Sequence, residues 1–170
     1  MTLGHVQERF QAILTGASGT EYPIPVGMFR LLPSDRTMDS EEYAGLERIA
    51  RVVWGEGREE IVPTNRTAGF DYVYLPLNVT VGYCLGTSED ALAGDSVTSA
   101  GASERVVRNR ASADVSRISA AFSSWLNFGG LTPHVIDCVR VQDSIAPAES
   151  RLILTITFRL SLRIPLAPET

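Results

Sequence analysis

The sequence predicts an α+β fold: a mainly antiparallel or mixed sheet with two amphipathic helices packed on one face, a two-layer sandwich. Three observations carry this expectation. Residues 151–164, RLILTITFRLSLRI, put an apolar side chain at every even position, and Ile153 is the one apolar residue among the odd positions. Residues 73–83 alternate in the same way, with Val73, Leu75, Leu77, Val79, Val81 and Tyr83 on one face; period two is the mark of a half-buried strand. Residues 3–15 and 103–126 instead space their apolar residues at three and four, the period of a helix with one buried stripe. With 170 residues and 44% hydrophobic content the chain fills one core and is short for two, so a single domain over residues 1–170 is expected.

In chain order, Leu3, Val6, Phe10, Ile13 and Leu14 define the first helix, and Gly16 stands where a left-handed residue would end it. The Gly- and Pro-rich run after it leads to an extended stretch over 26–32, closed by Pro33. Residues 37–42 read as a capped short helix or turn. Residues 46–63 fit a helix or a hairpin. The Val-Val-Trp cluster favours the hairpin, with a strand over 48–54 turning at 55–57 into a strand over 59–62. After a loop over 63–69 comes the long strand 73–83, in which Pro76 implies an edge position, a bulge or a bend. Residues 86–102 are Gly/Ser/Ala-rich, the composition of a flexible surface loop. Ser103 is placed to cap the second helix, whose stripe is Val107, Ala111, Val115, Ile118, Phe122, Trp125 and Leu126, with Asn127 and Gly129 at its end. A strand over 135–141, a connector over 144–149, the closing strand and a tail over 165–170 complete the chain. At about 3.3 Å per residue the closing strand reaches roughly 45 Å, against a radius of gyration of about 15 Å for a domain of this size. Such a strand crosses the whole molecule and points to assembly through strands.

A formal net charge of −5 argues against a general nucleic-acid binder, which needs a cationic surface. All 15 basic residues are arginine; codon usage in a GC-rich genome is the plain account, and selection for bidentate contacts the sharper one. No apolar run approaches the roughly 18 residues of a membrane span, the first residues lack a basic-then-hydrophobic leader, and Cys84 and Cys138 are too few for a disulfide framework.

No chemistry is named by a motif. His134, Asp137 and Cys138 form H-x-x-D-C, fewer ligands than zinc sites supply, and His5 lies at the other end of the chain, so no metal or cofactor is expected. A Cys84 nucleophile served by His134 needs direct hydrogen-bond reach, which nothing local provides. The phosphate-loop pattern is impossible without lysine. Two arginine groups remain. Arg105, Arg108 and Arg110 crowd the predicted first turns of the second helix, where positive charge opposes the dipole, and Glu104–Arg108 and Arg110–Asp114 stand at pairing distance along the helix. Arg151, Arg159 and Arg163 share the polar face of the closing strand with Thr155 and Thr157. That face is either solvated or lines a subunit interface or channel, its arginines meeting acids such as Glu41, Glu42, Glu59 or Glu60 of a neighbour.

Over most of its length the order of elements, with LNVTVGY and RLILTITFRLSLRI as the most similar pieces, resembles the tail terminator and tail-completion family of tailed bacteriophages. It departs from that family by extra length over 33–70 and by the long loop 86–102. The resemblance implies a structural virion protein without catalytic residues: a homohexameric ring that caps the tail tube and joins tail to head. Its partners would be further copies of itself, the tail tube protein and a neck or connector protein. Genome DNA would pass through without specific binding, no membrane would be involved, and the protein would reside in the tail or neck after assembly in the host cytoplasm. The alternatives are another head–tail connector or head-completion protein, a small α+β enzyme using Cys84, His134 or Asp137, and a cellular binding module.

Overall fold

Helix α1, Leu3–Leu14, buries Val6, Phe10, Ile13 and Leu14, and closes at Gly16, whose φ is 73° and whose amide donates to the Ile13 carbonyl at 3.1 Å. This is the C-cap expected from the sequence. The computed structural model describes residues 3–16, 23–33, 48–57, 59–60, 70–84, 100–124, 127, 135–148 and 151–165. Its strands are β1 (Arg30–Leu31), β2 (Arg48–Trp54), β3 (Glu59–Glu60), β4 (Phe70–Cys84), β5 (Val135–Ala148) and β6 (Arg151–Pro165), with helix α2 (Ala100–Ser123) between β4 and β5. The sheet order is β1-β2-β4-β6-β5, with β3 also on β4. β1 runs parallel to β2 and every other pairing is antiparallel, so the sheet is mixed and the fold is α+β.

The alternating residues behave as their period requires. Leu152, Leu154, Ile156, Phe158 and Leu160 are fully buried, as are Val73, Leu77, Val79 and Val81 on the neighbouring strand, and all belong to one core cluster with both helices. An aromatic stack runs through the layers: Phe10 of α1 lies 4.8 Å from Phe122 of α2, and Phe122 lies 5.0 Å from Phe158 of β6, ring centre to ring centre. Both helices therefore cover the same face. Asn127 ties the end of α2 to the middle of α1, donating through Nδ2 to the Ala121 carbonyl at 2.6 Å and accepting at its backbone carbonyl from Arg9 Nε at 2.7 Å.

Several local expectations are corrected. The hairpin over 48–62 does not form. β2 pairs with Leu77 to Tyr83 and β3 with Val73 and Tyr74, so the two lie end to end along β4 instead of against each other. β4, at 15 residues, is long enough to carry both. The break between them falls at Pro76. Its carbonyl accepts from Gly55 N at 2.9 Å, so its missing N–H also faces that side and the ladder stops there. The stretch 26–32 contributes only Arg30–Leu31 as strand, because 26–29 turn around Gly27 at φ 78°. α2 begins at Ala100, which takes residues 100–102 out of the predicted loop and leaves Ser103 inside the helix instead of capping it. β5 runs on through Ser144–Ala148, the segment expected as a connector, and Pro165 belongs to β6 instead of to the tail, opposite Phe70. Residues 37–42, 85–99, Trp125, Leu126, His134 and the end of the chain from 166 lie outside the described residues.

The two edges of the sheet differ. On the β2 side two outward carbonyls are taken, Ala50 by the Leu32 amide at 2.8 Å and Val52 by Gln7 Nε2 at 2.8 Å. On the other side β5 pairs only with β6 among the described residues, and of its 14 residues only Val135 and Cys138 are buried. β5 carries two bulges, at Ile136 and Val141, and these extra residues are 46% and 60% exposed.

Candidate functional site

The face of the sheet turned away from the helices carries most of the residues singled out in the sequence. Register sets their rows: Tyr72 beside Arg163, Tyr74 beside Ser161, Pro76 beside Arg159, Asn78 beside Thr157, and Thr80 beside Thr155. Thr157 Oγ1 donates to Asn78 Oδ1 at 2.9 Å, and the Arg159 guanidinium lies 4.8 Å from the centre of the Tyr74 ring. Such stacking contributes about 0.5–1 kcal/mol at an exposed site and leaves the guanidinium edge able to bind a carboxylate. Beside this pair is a groove of about 330 Å³, whose walls include Glu56, Tyr74, Pro76, Val141, Thr157 and Arg159.

Among the predicted interface or channel residues, Arg159 is exposed, while Thr155, Thr157 and Arg163 are half-buried. Arg151 is a correction: it is 3% exposed and so is not part of an open polar face. It sits at the end where Leu32, Ile49 and Ile153 form a second small apolar cluster on the outer side. Gly82 separates Ile49 from Ile153 in register, so the two can approach over its missing side chain. Ile153, the one break in the polar alternation, is thereby explained. Among the described residues, register places Arg30, Arg51, Arg151, Arg159, Arg163 and Asp137 on this side of the sheet, with Glu56 at the rim of the groove.

Arg105, Arg108 and Arg110 stand on α2, across the sheet from Arg159, so the two arginine groups do not form one patch. The helix dipole does not oppose them either. With the helix starting at Ala100, none of the three lies in its first turn, and the dipole acts mainly there. Arg108 pairs with Glu104 as expected, Nη2 to Oε1 at 2.7 Å.

A polar cluster that the sequence reading missed lies in the core. Asp114 of α2 is fully buried, accepts from the Tyr83 hydroxyl at 3.0 Å, and forms ion pairs with Arg48 Nε at 2.9 Å and Arg117 Nη1 at 3.2 Å. Burial pushes the Asp114 carboxyl above the usual carboxylate range, although Arg48, Tyr83 and Arg117 pull it down. Burial and then the facing carboxylate push the Tyr83 phenol up as well. The available signal was an acid lying inside the apolar stripe between Ala111 and Ile118. Its satisfied contacts to β2 and β4 identify it as a tie between layers.

Cys84 is half-buried at the end of β4, and the Cys84–His134 reading falls on His134, which lies outside the described residues. Cys138 is buried, and burial followed by the Asp137 charge pushes its thiol up, away from reactive thiolate. Among the described residues no group of three or more His, Cys, Asp or Glu is placed to hold a metal ion, and no helix is long and apolar enough to cross a membrane. No protein-family model and no curated protein matches this chain.

Proposed function

We propose that this chain is the structural subunit of a ring that caps the tail tube of a tailed bacteriophage and joins it to the neck, with a further copy of itself as its first partner. The observation that carries the reading is β5. Over residues 139–144, and again at Ala146 and Pro147, it is exposed, and it pairs with a strand on one side only among the described residues. A strand that buries so little apolar surface receives little hydrophobic stabilisation in the monomer, and exposed edges and exposed apolar side chains mark contact surfaces. The resemblance noted above supplies the identity of the assembly.

The mechanism is mechanical. Contacts between unlike surfaces, repeated by rotation until they close, generate a ring. Such a ring offers one side to the last layer of the tube and another to the neck. An overall acidic subunit at −5 suits a passage through which DNA slides without adhering. The test is negative-stain imaging of the purified protein, followed by localisation in virions and imaging of particles made without it. Closed rings at the head-proximal end of the tail, and detached heads and tails in their absence, are expected. Rings on the portal side would reassign the chain to head completion, and a compact monomer that hydrolyses a model ester would end the structural reading.

A further inference from the structure

We infer that free copies of this chain pair through their β5 edges about a two-fold axis, Arg140 of each meeting Asp143 of the other, and that this pair is a storage form set apart from the ring. The inference rests on the reading of β5 as the surface through which copies meet, and adds how that surface is kept from closing rings away from the tail.

β5 is open in three directions. Residues 139–144 are exposed whichever side of the sheet they face, and one edge of the strand has no partner strand among the described residues. Among those residues five large hydrophobic side chains are exposed, and three of them, Ile136, Val139 and Val141, stand on this one strand. An apolar edge of this kind is a template for strand addition.

Charge and register select the occupant. The bulge at Val141 puts Arg140, beside Phe158, and Asp143, beside Ile156, on the same side of the strand, with Nη1 3.6 Å from Oδ1. That separation is too long for a hydrogen bond, so this pair within one chain leaves donors on the guanidinium and acceptors on the carboxylate for a second partner. Antiparallel pairing with a second copy, centred between Val141 and Gln142, sets Arg140 against Asp143 of the other copy twice. It also matches sides throughout: Asp137 meets Ala146, Cys138 meets Ile145 and Val139 meets Ser144, each couple lying on one side of the sheet by its register on β6. The paired stretch, 137–146, ends at the bulge of Ile136 and at Pro147, which has no amide to donate. Centring on Arg140 instead would oppose Arg140 to itself, and like charges facing across a ladder are destabilising. Bringing Arg140 to Asp137 would join residues from opposite sides of the sheet. The strand thus complements its own reverse, which is what a two-fold contact requires. A subunit held in such a pair cannot offer the same edge to a ring neighbour.

The test is charge reversal with rescue. Arg140→Asp and Asp143→Arg, both at exposed positions, each turn two attractive couples into repulsive ones, and the double variant restores opposite charge with the positions exchanged; circular dichroism checks that the fold is kept. In sedimentation velocity wild type should run as a dimer. Each single variant should raise the dissociation constant at least roughly tenfold, and the double variant should return to within about threefold of wild type. A wild type that stays monomeric, or a double variant no better than the singles, would overturn the inference. The storage role is tested with Val141→Cys in a Cys84→Ser background, which sets two thiols side by side at the axis. Oxidised to a disulfide-linked pair, the protein should fail to cap tails made without it, and should cap them once reduced. Capping by the oxidised pair, or rings closed by wild type in free solution, would overturn the storage role. Failure of the reduced protein to cap tails would overturn the ring reading, and the storage role with it, while a dimer with charge rescue would still establish the pair.

Discussion

Replacing Asp114 tests the polar tie between the layers most directly. The carboxylate is 1% exposed and Arg48 is 16% exposed, so Asp114→Ala strands a largely buried guanidinium and the Tyr83 hydroxyl together. Removing one partner of a buried pair costs about 3–5 kcal/mol. The Arg117 contact adds little, because that side chain is 43% exposed and its pair is screened by water. A loss of about 4 kcal/mol is expected, a large share of the 5–15 kcal/mol by which domains are stable. In urea this corresponds to a fall in midpoint of roughly 2 M. Asp114→Asn, which keeps an acceptor for Tyr83, should lose less. The pH dependence has a definite sign. Because burial raises the folded carboxyl above its unfolded value, near 3.9, its proton-linked contribution is fully present below that value and is lost as pH rises through the folded one. The stability gap between wild type and Asp114→Asn should therefore shrink from pH 4 toward neutrality, measured by urea unfolding at constant ionic strength. A gap that widens with pH would mean that Arg48 and Arg117 outweigh desolvation, and would refute the reasoning.

Phe122→Ala removes the middle ring of the stack that links α1, α2 and β6, and should cost about 3–5 kcal/mol; thermal unfolding should then begin at least 6 °C lower. Gly16→Ala should destabilise more than Gly27→Ala, because both need a left-handed backbone, costing about 1–2 kcal/mol, but only at Gly16 would the added carbon collide with the Ile24 carbonyl oxygen. Equal losses in a chemical denaturation series would show that the packing beside Gly16 gives way. In the folded protein, half-buried Cys84 should react with a thiol reagent well before buried Cys138, whose modification should track global unfolding; mass spectrometry of timed samples reads the order directly.

The layered core was legible because alternation and helical spacing are local signals that burial enforces. Leu152 to Leu162 and the stripe from Val107 to Phe122 needed no knowledge of the rest of the chain. β5 was half read for the opposite reason. Beyond Cys138 it has no fully buried residue and only Ile145 packs in part against the core, so no alternation distinguishes its continuation from a connector. The collinear placement of β2 and β3 depends on the length of β4, which neither short strand announces. Asp114 was hidden because its partners Tyr83 and Arg48 lie 31 and 66 residues away in sequence. At the candidate site the arginine row was visible, whereas the groove was not, since it needs the bulge at Val141 to stand beside Tyr74 and Pro76.

The unequal edges of the sheet set a limit on how copies can join. On the β2 side of the described sheet the Ala50 and Val52 carbonyls are engaged by Leu32 and Gln7, whereas β5 pairs with β6 alone among the described residues, so the longest open run of backbone groups there belongs to β5. Two copies joined β5 to β5 would form a two-fold pair in which that edge is used up on both. A ring repeats a contact between unlike surfaces, so β5 enters one only against a different surface of its neighbour.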